Sequence, residues 1–421
     1  MSASRAPHIV IAGDGIAASA LACQLRDSGC RVTIAAGTHL HSDGAVIEAL
    51  PRAAVQLFAE TGLRHALLAS EPITVDGFDN RFHDIHRLLD GAWTHVDRSA
   101  LARHCLQAAV DRGTRVQRGF DQLSSGVFAV VDATGRAARR SRPIARSRPA
   151  TAAVFTGRPQ SGPRPARVIR TPSGWAYRID HPAATTVGVV TDRHPADTLH
   201  SDVATRLGVD SDNIDRRSVH TCSVQWSLDP IDRRRIAIGD AALALNPLAG
   251  QGVRFALAST LAAAAVIRSW IDGRDDHYID TYYRTFVAGV RTRHLATLKA
   301  MFDGTPPRDV PDATRRLDPQ CPVAFTATAV TTGQNRAGRI VAEQAFQLPD
   351  GGLTRYVGGI DLMALQDATA RGSTLAEVYR ALAAKIGPQA ADTLISWALG
   401  QGLLAVSQSR HEHRREARTS R

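Results

Sequence analysis

The stretch that decides the fold reads His8-Ile9-Val10-Ile11-Ala12-Gly13-Asp14-Gly15-Ile16-Ala17-Ala18. An apolar run ends here on a glycine, a G-x-G-x-x-A pattern follows, and residues 17–27 are helix-like. Residues 31–36 then form a second strand-like run, which completes a β-α-β unit of about thirty residues. The pattern predicts an α/β fold in which these two strands are parallel.

Each small residue of this pattern has a physical role. Gly13 permits a tight turn from strand to helix, and Gly15 lets backbone N–H groups approach a pyrophosphate. Ala18 lets the helix lie close to the sheet, while the positive helix start attracts the phosphate charge. The second strand ends in Ile34-Ala35-Ala36-Gly37, without an acid for the ribose hydroxyls of an adenosine. This departure argues against a plain NAD dehydrogenase.

Two further motifs follow strand-like runs. The second motif of the chain is Val130-Val131-Asp132-Ala133-Thr134-Gly135-Arg136. The third motif is Ile238-Gly239-Asp240-Ala241-Ala242, followed by Asn246-Pro247-Leu248-Ala249-Gly250-Gln251-Gly252. An aspartate that follows a strand can accept a hydrogen bond from a ribityl hydroxyl. The glycine-rich turn exposes N–H groups at the next helix start, where positive potential favours a reduced flavin. The three motifs in this order predict a bound FAD.

The remaining chain divides by composition. Residues 150–225 alternate apolar and polar positions between many Pro and Gly residues, whereas residues 305–322 are proline-rich. The predicted organisation is a Rossmann-type FAD-binding domain over 1–150 and 227–303, a β-rich substrate-binding insertion over 151–226, a linker over 304–334, a winged-helix-like domain over 335–410 and an Arg-rich tail over 411–421. Helices are predicted within 45–70, opened by Pro51, and over 97–112, 253–271 and 279–302.

The C-terminal segment has its own helix signals. Thr374 and Glu377 have capping-box spacing, which predicts a helix over 374–384. A second helix follows over 388–399 and a wing strand over 403–406. The second helix carries no Arg or Lys, so it is not expected to read a DNA groove. Two functions of this C-terminal unit stay open: it binds a leader peptide, or it is a purely structural cap.

Charge and cysteine content narrow the classes of protein. The formal net charge is +11, and the 51 basic residues include only two lysines, Lys299 and Lys385. Codon bias explains such a composition, and the functional alternative is a basic surface that attracts an acidic partner. No apolar run is long enough for a membrane span, and no signal peptide is visible. Five cysteines without a C-x-x-C pair favour a cytoplasmic protein with neither a metal cluster nor a disulfide framework.

These residues carry a family resemblance. From residue 8 to residue 300 the chain resembles the FAD-dependent monooxygenase superfamily, in the branch that contains the flavin-dependent tryptophan halogenases. The supporting segments are Trp93-Thr94-His95-Val96-Asp97-Arg98, where the arginine would contact FAD, Ala45-Val46-Ile47-Glu48-Ala49-Leu50-Pro51, and Ser173-Gly174-Trp175-Ala176-Tyr177-Arg178-Ile179. The resemblance implies FAD, O₂ as co-substrate, and NAD(P)H or a separate flavin reductase as the electron source.

The motifs and the resemblance together select the cofactor-binding candidates. These are Gly13, Gly15, Ile16, Ala17, Ala18, Arg98, Asp132, Ala133, Gly135, Gly239, Asp240, Pro247, Gly250, Gln251 and Gly252. The catalytic candidates are Tyr177 and Arg178, from the halogenase-like segment, and Glu48, which could shape the flavin loop.

Lysine marks the main departure from the halogenases. In that branch a lysine shortly after a G-E-A-T segment routes hypohalous acid to the substrate. The corresponding region, residues 69–82, contains no lysine, and the first lysine of the chain is Lys299. The resemblance without the lysine implies direct oxygen transfer from a flavin hydroperoxide to an electron-rich ring.

The core without this lysine and the appended C-terminal unit together resemble the flavin monooxygenases that mature quinohemoprotein amine dehydrogenase. This resemblance implies hydroxylation of a protein-bound tryptophan during cysteine tryptophylquinone biogenesis, with an acidic polypeptide as a possible partner and without nucleic acid or membrane. Three alternatives stay open: a monooxygenase of a free small aromatic metabolite, a flavin-dependent reductase, and a non-catalytic flavin-bearing chaperone.

Overall fold

The computed structural model describes residues 6–37, 45–82, 87–119, 126–138, 143–159, 162, 164–193, 199–247, 250–274, 276–303, 318–348, 352–357, 360–371 and 374–406. The chain forms two compact units. The first comprises Met1–Val287 with Asn335–Ile340, and the second comprises Ala288–Gln334 with Val341–Arg421. Residues 304–317 of the predicted linker and the predicted tail lie outside the described residues.

A six-stranded, mostly parallel sheet is the base of the first unit. Its strands are β1 His8–Ala12, β2 Arg31–Ala36, β6 Arg115–Arg118, β7 Ala129–Asp132, β15 Ile231–Asp232 and β16 Arg235–Ala237. Their order is β15-β16-β7-β1-β2-β6, and all neighbours except β15 and β16 run parallel. Strand β1 is buried from Ile9 onward, as a central parallel strand requires. The predicted β-α-β unit is confirmed.

Helices of the first unit share one apolar core. They are α1 Ile16–Leu25, α2 Arg52–Glu60, α3 Arg64–Ala69, α4 Arg98–Asp111 and α6 Gln251–Ile271. Phe58, Leu101 and Leu257 are almost fully buried in this core. By length and composition α6 could also cross a membrane, but 67% of its apolar window is buried inside the structure. A core helix has this property.

The start of the predicted 45–70 helical region is a strand instead. Residues Ile47–Pro51 form β3, which pairs antiparallel with β5 Arg87–Asp97. Pro51 is therefore the N-cap of α2 and not its first helical residue. The predicted helical region opened by Pro51 is confirmed by α2 and α3, and β3 precedes it because residues 47–51 pair with β5.

An eight-stranded sheet completes the first unit. Its remaining strands are β4 Ile73–Arg81, β9 Thr151–Gly157, β10 Arg167–Thr171, β11 Gly174–His181, β12 Ala184–Thr191 and β13 Ile214–Thr221. The order is β13-β9-β12-β11-β10-β4-β5-β3, and α5 Ser201–Leu207 packs on its apolar residues. Residues 151–226 thus supply only part of this sheet. Strands β3, β4 and β5 join it because β4 pairs parallel with β10, where Asp79 lies opposite Arg167.

The first unit also contains short elements. A three-stranded sheet has the order β17-β14-β8, with β8 Ile144–Arg146, β14 Gln225–Ser227 and β17 Leu243–Ala244. Single 3-10 turns occupy Gly135–Ala137, Ser211–Asn213 and Gly239–Ala241.

The second unit contains a compact helical core. Its helices are α8 Met363–Arg371, α9 Leu375–Ile386 and α10 Pro388–Gly400, and α7 Asp276–Asp303 contains residues of both units. The strands of this region are β18 Val323–Phe325, β19 Ala329–Arg336, β20 Arg339–Gln347, β21 Leu353–Thr354, β22 Tyr356–Val357, β23 Ile360–Asp361 and β24 Leu404–Val406. Leu365, Val378 and Leu394 are fully buried where α8, α9 and α10 meet.

Two predictions for this region have clear outcomes. The capping box is confirmed. The Thr374 hydroxyl accepts a hydrogen bond from the Glu377 N–H, and the Glu377 carboxylate accepts one from the Thr374 N–H. The linker prediction was wrong over its last part, because Val323–Phe325 pairs with the predicted wing strand and Ala329–Arg336 is also a strand. The winged-helix-like assignment stays a prediction.

The capping box should stabilise α9 measurably. Thr374→Ala removes the side-chain acceptor and should cost about 0.5–2 kcal/mol. Hydrogen–deuterium exchange of α9 amides should therefore quicken. Thr393→Ala in the exposed middle of α10 is the matched control, and it should leave exchange in α9 unchanged. Equal exchange in both variants would contradict a stabilising role for the cap.

Candidate functional site

Three neighbouring parallel strands, β1, β7 and β16, end at the same edge of the six-stranded sheet. A predicted motif follows each of them. The N–H of Ala133 donates to the carbonyl of Ala12 over 2.7 Å, and the N–H of Ile238 donates to that of Asp132 over 2.9 Å. The sheet order therefore brings together three motifs that are far apart in sequence.

The two glycines of the first motif have different surroundings. Gly13 has a φ of +114°, and a Cβ there would lie 2.2 Å from the carbonyl oxygen of Ala133. Gly15 has an ordinary φ of −77°, and a Cβ there would meet no atom of the described residues within 4 Å. The fold itself thus requires glycine at position 13. Position 15 faces open space, as a site for a pyrophosphate against the backbone must.

Two helices begin at this edge with glycine N-caps. Helix α1 follows Gly15 and has no acidic residue in its first turn. Helix α6 follows Gly250, whose φ is +65° and whose added Cβ would lie 2.3 Å from the Ala49 carbonyl oxygen. A Cβ at Gly252 would meet no atom within 4 Å. Since neither N-cap has a side chain to accept from the helix N–H groups, both helix starts suit negatively charged groups.

The other small residues of the first motif serve packing. Ala18 is fully buried and Ile16 is 9% exposed. The Cβ of Ala17 would lie 3.2 Å from a Cβ on Gly239, and the carbonyl of Ala17 accepts from the Thr260 hydroxyl of α6 over 3.2 Å. A cofactor would therefore meet these residues mainly through their backbone.

Asp132 shapes the second motif. Its Oδ1 accepts from the Thr134 N–H over 3.0 Å and from the Thr134 hydroxyl over 2.6 Å, and its side chain is buried. Gly135 follows with a φ of +65° and begins the 3-10 turn. The carbonyl of Ala133, between them, is the one that faces Gly13. This motif thus builds the surface beside the first motif.

The third motif is described in part. Pro247 is half-buried, and the next two residues lie outside the described ranges. Gln251 is the first residue of α6, and its Oε1 accepts from Arg254 over 3.4 Å. The structure therefore supports a helix start at the predicted turn.

Paired charges occupy the same region. Arg98 Nη1 lies 3.2 Å from Glu48 Oε1, and Arg136 Nε lies 3.8 Å from Asp240 Oδ2. The Glu48 carboxylate raises the pKa of Arg98 above its ordinary value. Burial raises the pKa of Asp240, and the guanidinium groups of Arg136 and Arg98 partly offset that rise. The predicted residues Glu48, Arg98 and Asp240 thus form one electrostatic group.

Tyr177 belongs to this group as well. Its ring lies against Gly188 on β12, where an added Cβ would be 2.1 Å from Tyr177 Cζ. Burial raises the pKa of Tyr177, and Glu48 and Cys222 add to the rise. The hydroxyl therefore stays protonated near neutral pH and can donate a hydrogen bond.

Arg178 lies elsewhere. Neighbouring side chains of a strand point to opposite faces, so Arg178 points away from Tyr177. Its Nη2 lies 2.9 Å from Asp180 Oδ2, both side chains are 5% exposed, and it also donates to the Gly208 carbonyl. The structure argues against the predicted catalytic role for Arg178, because its guanidinium is committed to a buried ion pair.

A pocket of about 390 Å³, which the sequence motifs did not predict, lies next to this group. Its lining residues are Arg136, Ala137, Arg146, Val219, His220, Thr221 and Gln225. Burial lowers the pKa of His220, and Arg98 and Arg136 lower it further. The position of Arg136 directly after Gly135 could have indicated a residue of this pocket, whereas Arg146 and Gln225 belong to no sequence motif.

Solved structures of other proteins share this fold, although sequence comparison finds no match. No protein-family model and no curated protein matches the sequence. A peptidyl tryptophan dihydroxylase essential for tryptophylquinone cofactor biogenesis, QhpG, has a similar structure, with 17% identity, a TM-score of 0.69, and coverage of 95% of this chain and 100% of its own. The flavin-dependent halogenase CmlS shares 15% identity and a TM-score of 0.75, with 97% of both chains covered.

A third similar structure is p-nitrophenol 4-monooxygenase PnpA from Pseudomonas putida DLL-E4, with 17% identity, a TM-score of 0.56, and coverage of 74% of this chain and 92% of its own. These likenesses show that the chain has the mixed α/β fold shared by flavin-dependent halogenases and monooxygenases. The uncapped helix starts and the open space at Gly15 fit a flavin dinucleotide on that fold.

Substitution at Gly15 should separate cofactor binding from folding. Gly15→Val places a side chain in open space, so the cofactor-free protein should unfold at the wild-type temperature. FAD should bind about tenfold more weakly or worse, since each lost charge-assisted hydrogen bond is worth about 1.5–3 kcal/mol. Flavin fluorescence titration and thermal unfolding would measure both effects.

The matched variant is Gly13→Val, whose side chain would collide with the Ala133 carbonyl and should destabilise the protein even without FAD. Wild-type FAD affinity in Gly15→Val would contradict the assigned site.

Proposed function

We propose that this protein is an FAD-dependent monooxygenase that hydroxylates the indole ring of a tryptophan within a polypeptide, in the cytoplasm, as a step of quinone cofactor biogenesis. The observation that carries the proposal is the convergence of three nucleotide-binding motifs at one sheet edge. Their fold is shared with a peptidyl tryptophan dihydroxylase over nearly the whole chain.

The residues divide the binding of FAD between two helix starts. The backbone of Gly15 and the start of α1 would hold the pyrophosphate, while Gly250–Gly252 and the start of α6 would face the flavin. Asp240 belongs to the charge group with Arg98 and Arg136, and its carboxylate would accept a hydrogen bond from a ribityl hydroxyl. Bound FAD would supply the reduction of O₂, with electrons from NAD(P)H or a separate flavin reductase.

The chain's own residues would orient the ring and limit water. Tyr177 keeps its proton near neutral pH, so its hydroxyl serves as a hydrogen-bond donor and not as a base. The Glu48–Arg98 pair fixes the guanidinium at the start of α4. These groups position substrate, and their contribution is geometric.

Hydroxylation is favoured over halogenation because one segment of the core lacks a lysine. The segment that carries the halogenase lysine corresponds to residues 69–82, which contain no lysine and form the end of α3 and strand β4. Without an amine to carry oxidised halide, oxygen transfer to the ring is the reaction that the site supports.

The second unit is the region proposed to hold a polypeptide substrate. The match to the peptidyl tryptophan dihydroxylase covers 95% of this chain, so it includes most of this unit. Helix α10 has no Arg or Lys, which disfavours nucleic acid as the partner. The pocket of about 390 Å³ favours the second candidate, a monooxygenase of a free small aromatic, because its volume suits a single small ligand.

Substrate preference should distinguish these two candidates. The FAD-loaded protein, supplied with NADH, a flavin reductase and isotopically labelled O₂, should add labelled oxygen to tryptophan within N-acetylated, C-amidated peptides. Free tryptophan should react at about a tenth of that rate or less, because remote binding energy orients the ring. Mass spectrometry measures the product, and FAD-free Gly15→Val is the control. Efficient reaction of free aromatics with no labelled peptide would favour the small-metabolite enzyme.

Halide should not enter the product. Chloride or bromide supplied with reduced FAD, O₂ and the tryptophan peptides should give hydroxylated and no halogenated indole, because residues 69–82 contain no lysine. Isotope patterns in the product mass spectrum provide the measurement. A bromine doublet on the indole would contradict the hydroxylase assignment.

A further inference from the structure

The pocket lined by Arg136, Arg146 and Gln225 has an unbalanced charge. None of its lining residues is acidic, and two of them are arginines. Arg136 has a carboxylate at 3.8 Å, that of Asp240. Within the described ranges, no carboxylate lies at ion-pair distance from Arg146. The pocket is therefore locally cationic and can take a negative group.

Arg146 is held in place without being neutralised. Its Nε donates to Gln225 Oε1 over 3.0 Å, and Gln225 Nε2 donates to the backbone carbonyl of Arg136 over 2.8 Å. Gln225 is 4% exposed whereas Arg146 is exposed, so a buried amide holds the guanidinium at the pocket surface. A guanidinium has five N–H donors, and one of those on Arg146 is used by Gln225. The two terminal nitrogens keep the fork geometry that matches a carboxylate.

Arg136 is less available for a ligand. Its terminal nitrogens donate to the carbonyls of Ser223 and Leu245, and its Nε faces Asp240. These bonds tie it to Ser223, which precedes β14, and to Leu245, which lies between the two segments of the third motif. Arg136 therefore adds positive potential to the pocket, while Arg146 supplies the donors.

The rest of the lining is apolar or neutral. Val219 is 44% exposed although it is a large apolar side chain, and Ala137 is exposed as well. Burial and two neighbouring arginines lower the pKa of His220, so it adds little charge near neutral pH. A ligand with a small apolar body and one carboxylate matches this combination.

We propose that this pocket is a substrate subsite in which Arg146 binds a carboxylate, supplied by an acidic residue of the polypeptide next to the target tryptophan. The proposal rests on the proposed function for the identity of the substrate. Arg146 is then a specificity-determining residue, and an aromatic without a nearby carboxylate is bound weakly.

Matched probes test the charge directly. The FAD-loaded full chain would be titrated by calorimetry with N-acetyl-Asp-Trp-amide and with its neutral counterpart N-acetyl-Asn-Trp-amide. Wild type should prefer the carboxylate form by about tenfold or more, as expected for a charge-assisted bidentate contact. Arg146→Gln should abolish the preference while leaving the affinity for the neutral peptide unchanged, and Arg146→Lys should restore part of it.

Arg148→Gln is the matched control, because Arg148 is exposed, makes the same charge change and does not line the pocket. It should keep the wild-type preference. Equal binding of the two peptides by wild type, or the same loss in Arg146→Gln and Arg148→Gln, would overturn the proposal. Indoleacetate and indoleacetamide form a second pair, and a stronger carboxylate preference for these than for the peptides would assign the carboxylate to a free acid.

The outcome is separable from that of the proposed function. Carboxylate preference through Arg146 without oxygen transfer to any peptide would support the subsite and contradict the monooxygenase. Oxygen transfer at equal efficiency to the acidic and neutral peptides would support the monooxygenase and contradict the subsite.

Discussion

The contact between Gly13 and the carbonyl of Ala133 constrains the whole nucleotide-binding edge. An added Cβ at Gly13 would lie 2.2 Å from that oxygen, so the turns after β1 and β7 pass each other with no room for a side chain. This closeness fixes α1 beside the turn over residues 132–135. The hydrogen bond from Ile238 N–H to Asp132 then adds β16 and its Gly239-Asp240 turn to the same edge. Two backbone contacts therefore position all three motifs.

A second close approach connects this edge to the large sheet. An added Cβ at Gly250 would lie 2.3 Å from the Ala49 carbonyl on β3, which places the start of α6 against that strand. Glu48 is the neighbour of Ala49 on β3, and it pairs with Arg98 at the start of α4. The helix start that suits a flavin and the charge group that includes Tyr177 thus share one strand. The proposed flavin site and the charge group are therefore connected through β3.

Local and non-local features differ in how far the sequence predicts them. The turn at Gly13, helix α1 and the capping box at Thr374 depend on residues a few positions apart, and all were predictable. The place of β4 beside β10 depends on pairing across distant segments, which no local pattern encodes. Arg146 and Gln225 meet for the same reason.

The ion pair of Arg178 had a local signal. Arg178 and Asp180 are two positions apart on a strand, which puts their opposite charges on one face. That spacing indicates an ion pair and could have removed Arg178 from the catalytic candidates.

The central claim is that FAD binds along the edge where β1, β7 and β16 end. A crystal structure of the protein with FAD tests it most directly. We expect the pyrophosphate to lie over Gly15 within hydrogen-bond distance of the α1 N–H groups, and the flavin ring to lie by the start of α6. Flavin density away from this edge, or a side chain filling the space over Gly15, would contradict it.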